Sequence, residues 1–289
     1  MNSKIVRIQQ KMAVLGYAAH LLRRSPLSLL GMVIVLGLVL IGTLAPLIAP
    51  YPDVPYPSIR LNPPSQNHIF GTDEMGRDIF GRIVYGSQVS LTVGIIVVLI
   101  AMSVGIPLGL TSGFLGGKVD GFIMRVTDIF LSIPPLLLAM LILATSGPSI
   151  PNMMAAIAIT MWPAHARLVR GNTLAIKEQS YIEAARAFSA STTRIIFRHI
   201  LPNCLSPIIV QTTFDVGNAI LWASALGFLG LGARPPTPEW GLMIATGRIY
   251  MPIWWWCATF PGIAIFLTVL GFNLFGDGLR DILDPRTRR

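Results

Sequence analysis

Gln211, Asp215, Asn218 and Trp222 recur at i, i+4, i+7 and i+11 within a stretch, 204–233, whose only charge is Asp215. On a helix that spacing makes one polar stripe. A carboxylate deep in apolar sequence faces a bundle interior or a wet cavity far more often than lipid, where it would cost about 2.5–3.5 kcal/mol. There it can meet a cationic amino group, pair across an interface or stay hydrated, and the spacing leaves these three open. Other chemistry fails on inspection. The stretch "SGFLGGKVD" at 112–120 puts Ser112 and Val119 where a phosphate-cradling loop needs Gly and Ser or Thr. "GFLGLG" at 227–232 ends an apolar segment instead of joining a strand to a helix, so it is no dinucleotide fingerprint. Histidines at 20, 68, 165 and 199 lack ligand spacing and read as interfacial or surface residues. Cys204 and Cys257 suggest neither a disulfide framework nor a metal site. No hydrolase signature occurs.

The elements that must position the stripe belong to a bilayer. Of 289 residues 53% are hydrophobic and 12% charged, against about a quarter charged in a soluble domain. Five charge-poor regions stand out at 27–49, 89–117, 129–164, 204–233 and 249–276. Roughly 20 apolar residues span the hydrocarbon, so four of these are single crossings. The region 129–164 is too long for one, and Gly147, Pro148 and Pro151 mark a turn, so it reads as a hairpin whose first helix begins near Gly121. Arg125 and Asp128 lie on one face at its start. The expectation is an all-α integral membrane protein of six transmembrane helices. Lys and Arg number 17 on the loops that share a side with both termini and 5 on the others, which makes the termini cytoplasmic. The net charge of +9 then reflects topology, and a nucleic-acid partner is not implied.

Two segments outside the crossings are informative. In the cytoplasmic segment 164–203, Ser180 and Glu183 have the spacing of a capping box. Ile182, Ala185 and Ser189 follow on one face, and a second helix with Ile195, Ile196 and Ile200 should stop at Pro202. Its apolar faces can pack on the chain's own helix ends or receive a soluble partner. The extracytoplasmic segment 50–88 opens Pro-rich; Thr72 can then cap an interfacial helix with Asp73 and Glu74 in its first turn and Phe80, Ile83 and Val84 on its apolar face. "PPTPEWG" and the Trp run 254–256 read as interfacial anchors. The organisation expected is an N-terminal cytoplasmic segment 1–26, a first helix 27–49, the outer loop 50–88, a five-helix core 89–276 enclosing the loop 164–203, and a cytoplasmic tail 277–289.

"EAARAFSASTTRIIFRHILPN" resembles the EAA loop of ABC importer permeases: Glu183, Ala184, Ala185, Ile200 and Pro202 match, and Ser189 stands where the family usually has Gly. "FGTDEMGRDIFGRIVYGSQVSL", "NCLSPIIVQ", "GFLGLGARPPTPEWG", "FPGIAI" and "GFNLFGDGLRDILDP" are similar to the C-type permease of dipeptide and oligopeptide importers, over about residues 25–285. The resemblance implies the type I ABC importer permease fold in a bacterial inner membrane, with a homologous second permease, two ATP-binding subunits and an extracytoplasmic solute-binding protein as partners. It implies no catalysis and no cofactor on this chain, ATP and Mg being held by the partner subunits. Ser180, Glu183, Ala184, Ala185, Ser189, Arg194 and Pro202 would then couple to the ATPases. Gln211, Asp215, Asn218 and Trp222 become candidates for the solute path, and Asp73, Glu74, Arg77 and Asp78 for contact with the binding protein. Related permeases import nickel chelates, opines or glutathione, and an ion-coupled carrier or channel remains the alternative of another class.

Overall fold

The computed structural model describes residues 25–49 and 55–283. The cations of the N-terminal segment, His20, the residues at 50–54 and the arginines beyond 283 lie outside the described residues. The chain is helical: α1 (Pro26–Thr43), α2 (Ala45–Ile48), α3 (Ile79–Leu115), α4 (Gly117–Ser132), α5 (Pro135–Ser146), α6 (Ile150–Lys177), α7 (Ser180–Ala187), α8 (Thr192–Ile195), α9 (Leu201–Phe228), α10 (Trp240–Gly247) and α11 (Trp256–Leu283). Among the described residues four helical stretches are long and apolar enough to cross a membrane: α1, α3, Thr192–Phe228 and α11. Counting α4 and α5 as one broken span gives five.

The centre of the bundle is the α3–α6 pair. Gly105, Gly109 and Gly113 form a seam at every fourth residue of α3; a Cβ on them would lie 2.6 Å from the Cβ of His165, 2.5 Å from the carbonyl of Ala166 and 2.7 Å from the Cβ of Thr173. Small residues at this spacing let two backbones meet, which in lipid is a main source of helix association. Helices α9 and α11 pack around this pair, with Val97, Ala101, Ile157, Ala219 and Ile220 fully buried between them.

Several expectations need correction. The hairpin turn falls at Gly147, whose φ is +83°, but its first helix does not run unbroken from Gly121. It breaks after Ser132 with an 87° bend before Pro135, because two successive prolines remove helix donors and push the preceding residue out of the α region. Segment 164–203 is not a loop from its start, since α6 continues to Lys177. Pro202 does not stop a helix. It sits in the first turn of α9, directly after a π-helical turn, Ile196–Ile200, that joins α8 to α9. Where a proline withholds its N–H, the wider turn re-registers the backbone: Leu201 N–H bonds the carbonyl of Ile196, and the Asn203 side chain donates through Nδ2 to the carbonyl of His199 at 2.6 Å. The outer helix is not separate from the second crossing either, for α3 is continuous over 37 residues from Ile79. Its cap is Asp78, which accepts from the Gly81 N–H at 2.7 Å. Thr72 instead accepts from the Asn62 N–H and donates to the Ile59 carbonyl.

Candidate functional site

On one side of the bundle, α7 and α8 hang from the ends of α6 and α9. Ile182, Ile195 and Ile200 are buried against Leu110, Val169, Cys204 and Ile208, so the segment's aliphatic face packs on the chain's own helices. The Ser180–Glu183 capping box does not form. The N-cap is Gln179, no side chain caps α7, and Ser180 is its first residue. Glu183 is exposed in the first turn, where it faces the positive end of the helix dipole. Helix α7 ends in a Schellman motif: Ser189 N–H bonds the Arg186 carbonyl at 2.8 Å and Ala190 N–H the Ala185 carbonyl at 3.1 Å. The motif requires a left-handed residue at Ser189, φ +56°, a conformation glycine adopts at no steric cost.

What α7 and α8 leave outside is as informative as what they bury. Glu183, Ala184, Ser189, Arg194 and Pro202 are exposed, and Phe188 is 87% exposed at the tip of the turn. Phe197 is 63% exposed. The segment is also wired inward: Lys177 Nζ donates to the Phe114 carbonyl at 2.8 Å, and the cations of Lys177 and Arg186 lie 5.8 and 5.7 Å from the Phe114 ring. Helix α7 therefore touches the end of α3 through Arg186. Nearby, Asp120 of α4 receives both Arg170 Nε (2.6 Å) and Nη2 (2.7 Å), and Asp128 pairs with Arg167. These pairs tie α4 to α6.

The outer candidates are arranged in the opposite way. Asp73 and Arg77 are buried, each 7% exposed. The Asp73 carboxylate accepts from the backbone N–H of Met75 and Arg77 and from Arg77 Nε at 2.7 Å, with Arg82 Nε 3.6 Å away. Arg77 also reaches Glu74 at 3.2 Å, and Arg82 donates to the Pro236 carbonyl. Asp78 caps α3 and lies 3.1 Å from His68. The aromatic anchors are keystones of the same brace. Trp240 and Trp256, expected at the interface, are buried and donate to the carbonyls of Ile83 (3.1 Å) and Thr72 (3.3 Å), leaving Trp255 exposed. Beside them Glu239 caps α10, accepting from Gly241 and Leu242 N–H at 2.8 and 2.7 Å. It is 2% exposed, and burial pushes its carboxyl up from 4.5 to about 7. Gly227 makes room for it, since a Cβ there would lie 2.3 Å from Glu239 Oε2.

Within the bundle the stripe is only partly assembled as a set. Gln211 donates to Asp215 at 3.1 Å and the Asn218 side chain also stands against it, while Trp222 is half-buried further along α9. Asp215 is 6% exposed, and 3.2 Å from it stands Nε2 of His165. His165 is completely buried, which corrects its reading as a surface residue. In the sequence this partner is only a histidine within a run, 150–166, that carries no Lys, Arg, Asp or Glu, and nothing there points to Asp215.

Residues 105–289 match the model of the binding-protein-dependent transport system inner membrane component, and residues 13–64 that of the N-terminal TM domain of oligopeptide transport permease C. The chain belongs to this permease family. Across 92% of its length the permease is 49% identical to the probable D,D-dipeptide transport system permease protein DdpC of Escherichia coli K12, covering 90% of that protein. It is 48% identical to the dipeptide transport system permease protein DppC of Alkalihalophilus pseudofirmus, again over 92% of this chain and 88% of that one. The glutathione transport system permease protein GsiD of Escherichia coli O6:K15:H31 is 46% identical over the same shares. In fold, the permease resembles an inward-facing structure of the MetNI methionine ABC transporter, with TM-score 0.60 at 18% identity over 71% of this chain and 98% of that one. It is thus a multi-pass inner-membrane component of an ABC importer, whose ATP hydrolysis belongs to separate subunits.

Proposed function

We propose that the permease forms half of a path for dipeptides or short oligopeptides, paired with a homologous second permease. Two ATPases, which hold ATP and Mg, dock under the two coupling segments, and a binding protein delivers solute at the outer lip. The observation that carries this reading is the coupling segment itself: its aliphatic side is fully used inside the chain, yet it holds Phe188 out in water beside Glu183 and Ala184. An apolar residue so exposed on a turn so fully hydrogen-bonded fits a knob that another surface covers. The peptide substrate is supported by the names of the relatives at 48–49% identity, and glutathione, itself a peptide, is the second reading supported by those at 46%.

Six crossings with cytoplasmic termini complete the proposal. The helix needed beyond the five apolar spans is α6, whose residues 150–166 carry no Lys, Arg, Asp or Glu and which is sealed along α3 by the glycine seam. Gln211, Asp215, Asn218 and Trp222 line the path in this reading. Asp73, Glu74, Arg77 and Asp78 brace the lip that meets the binding protein, presenting neighbours such as Met75 and Ile69, which are exposed. The test is the complex reconstituted from both permeases, both ATPases and the binding protein. Phe188→Asp and Glu183→Ala should assemble but lose most of the hydrolysis stimulated by loaded binding protein. Undiminished stimulation in both, or transport by this chain purified alone, overturns the reading.

A further inference from the structure

Helix α9 meets the α3–α6 pair in two different ways. In the half nearer α10 the contact is close and apolar, with Gly94 of α3 admitting Ile220 and Val216 so tightly that a Cβ there would lie 2.8 Å from Ile220. In the half nearer the coupling segment it is polar. Thr212 donates to the Met102 sulfur at 3.2 Å, and Asp215 faces His165. Gly105 and Gly109 bring the backbones of α3 and α6 together beside His165, whereas α9 meets the pair here through polar side chains.

The polar joint is incomplete. Asp215 Oδ2 and His165 Nε2 are 3.2 Å apart, but among the described residues neither ring nitrogen of this fully buried histidine makes a hydrogen bond of good geometry. Gln211 holds the other carboxylate oxygen. A buried polar group left without a partner is destabilising, and a partly satisfied buried network is less favourable than either a complete one or an apolar contact. Beside the pair on α9 stand Gln211 and Asn218, neither of them charged. Among the described residues no further ion pair reaches His165 or Asp215. The joint is therefore held weakly enough to open, while either member left alone by substitution is left buried without its counterpart.

We propose that His165 is the positioning residue of the transport cycle, a releasable joint that holds Asp215 and with it α9 against the α3–α6 pair until the ATPases drive them apart. The proposal rests on the coupling reading above. It assigns a role to a histidine outside the coupling motif, and makes α9 the element that converts motion of α7 and α8 into a change in the path, since α8 continues into α9 through the π-helical turn.

The experiment uses the reconstituted complex with spin labels at Gly171→Cys on α6 and Leu205→Cys on α9, both exposed positions, in a background with Cys204 and Cys257 replaced by Ala. Distances are measured without nucleotide and with ATP trapped by a hydrolysis-deficient ATPase. The parent should show two distances that exchange on ATP binding. His165→Gln and Asp215→Asn should each populate the ATP distance without nucleotide and raise solute-independent hydrolysis severalfold, and the reversal His165→Asp with Asp215→His should restore both towards the parent. Parent-like distances and hydrolysis in both single variants overturn the proposal, as does a reversal no better than the singles in an assembled complex. If the parent itself shows no ATP-driven change, the coupling reading fails first, and the joint with it.

Discussion

The outer lip and the coupling segment are both short stretches between long helices, yet they are built inside out relative to each other. At the lip the charges point inward: Asp73, Arg77 and Arg82 are all 7% exposed or less, joined to one another, to backbone N–H groups and to the Pro236 carbonyl, and the buried Glu239 accepts from the N–H groups of Gly241 and Leu242. In the coupling segment the aliphatic residues point inward, while Glu183, Arg194 and Phe188 face solvent. Buried, mutually satisfied charges hold one geometry, because every departure leaves an ion without a partner. A segment anchored by three isoleucines and tipped by an exposed phenylalanine is secured only from one side. Among the described residues the lip's charges find their partners within the chain, whereas the coupling segment leaves Phe188 uncovered.

This contrast breaks most visibly at Asp73. Asp73→Ala removes the acceptor of two backbone N–H groups and leaves the guanidinium of Arg77 buried beside Arg82. Removing one partner of a buried pair costs about 3–5 kcal/mol, and that loss is expected as a fall in the thermal midpoint of the detergent-solubilised protein. Glu183→Ala in the coupling segment should move the midpoint by less than about 1 kcal/mol equivalent, the scale of a charge at a helix terminus. Equal shifts in the two variants would erase the distinction between the regions.

Glu239 sharpens it through pH. Its folded value of about 7 lies above the ordinary 4.5 because burial penalises the carboxylate, although the caps on Gly241 and Leu242 pull the other way. A raised folded value means that the native state keeps its proton where the unfolded chain has lost it. The associated stability is fully present below about 4.5 and is lost as pH rises through about 7. At 1.36 kcal/mol for each unit, the whole difference is about 3 kcal/mol. Midpoints measured from pH 5 to 8 should fall for the parent and stay flatter for Glu239→Gln. A parallel pair of curves would remove Glu239 from the brace.

Four crossings, and a fifth if the bent pair of α4 and α5 is one span, were legible because their information is local: charge-free length and the turn at Gly147 require no knowledge of neighbours. The caps were misread where two candidates competed. Thr72 and Ser180 have capping side chains, but Thr72 is taken by Asn62 and Ile59 across the loop, and Gln179 precedes Ser180 in the extended conformation that an N-cap needs. Pro202 misled because a proline ends a helix only when nothing replaces its missing bond, and the π-helical turn before it does so. His165 was invisible for a deeper reason. Its partner lies 50 positions away on another helix, and only the approach of α3 and α6 at Gly105 decides that this histidine points into the bundle.

The smallest effect falls on the open side of the comparison, at Ser189. The Schellman turn closing α7 places this residue at φ +56°, a conformation that costs an L-residue about 1–2 kcal/mol. Glycine would relieve that strain but loses more backbone freedom on folding, about 0.5–1 kcal/mol. Ser189→Gly should therefore stabilise the turn by about 1 kcal/mol or less, too little to register in the midpoint of the whole protein. It should register locally, because the amides of Ser189 and Ala190 are the two that the motif engages. Their hydrogen exchange should slow by a few-fold, with α6 and α9 unchanged. Slower exchange would show that the turn beneath Phe188 carries strain that a partner's docking must hold in place. Faster exchange would mean that the freedom of glycine outweighs the relief, and that the turn is already at rest in the chain alone.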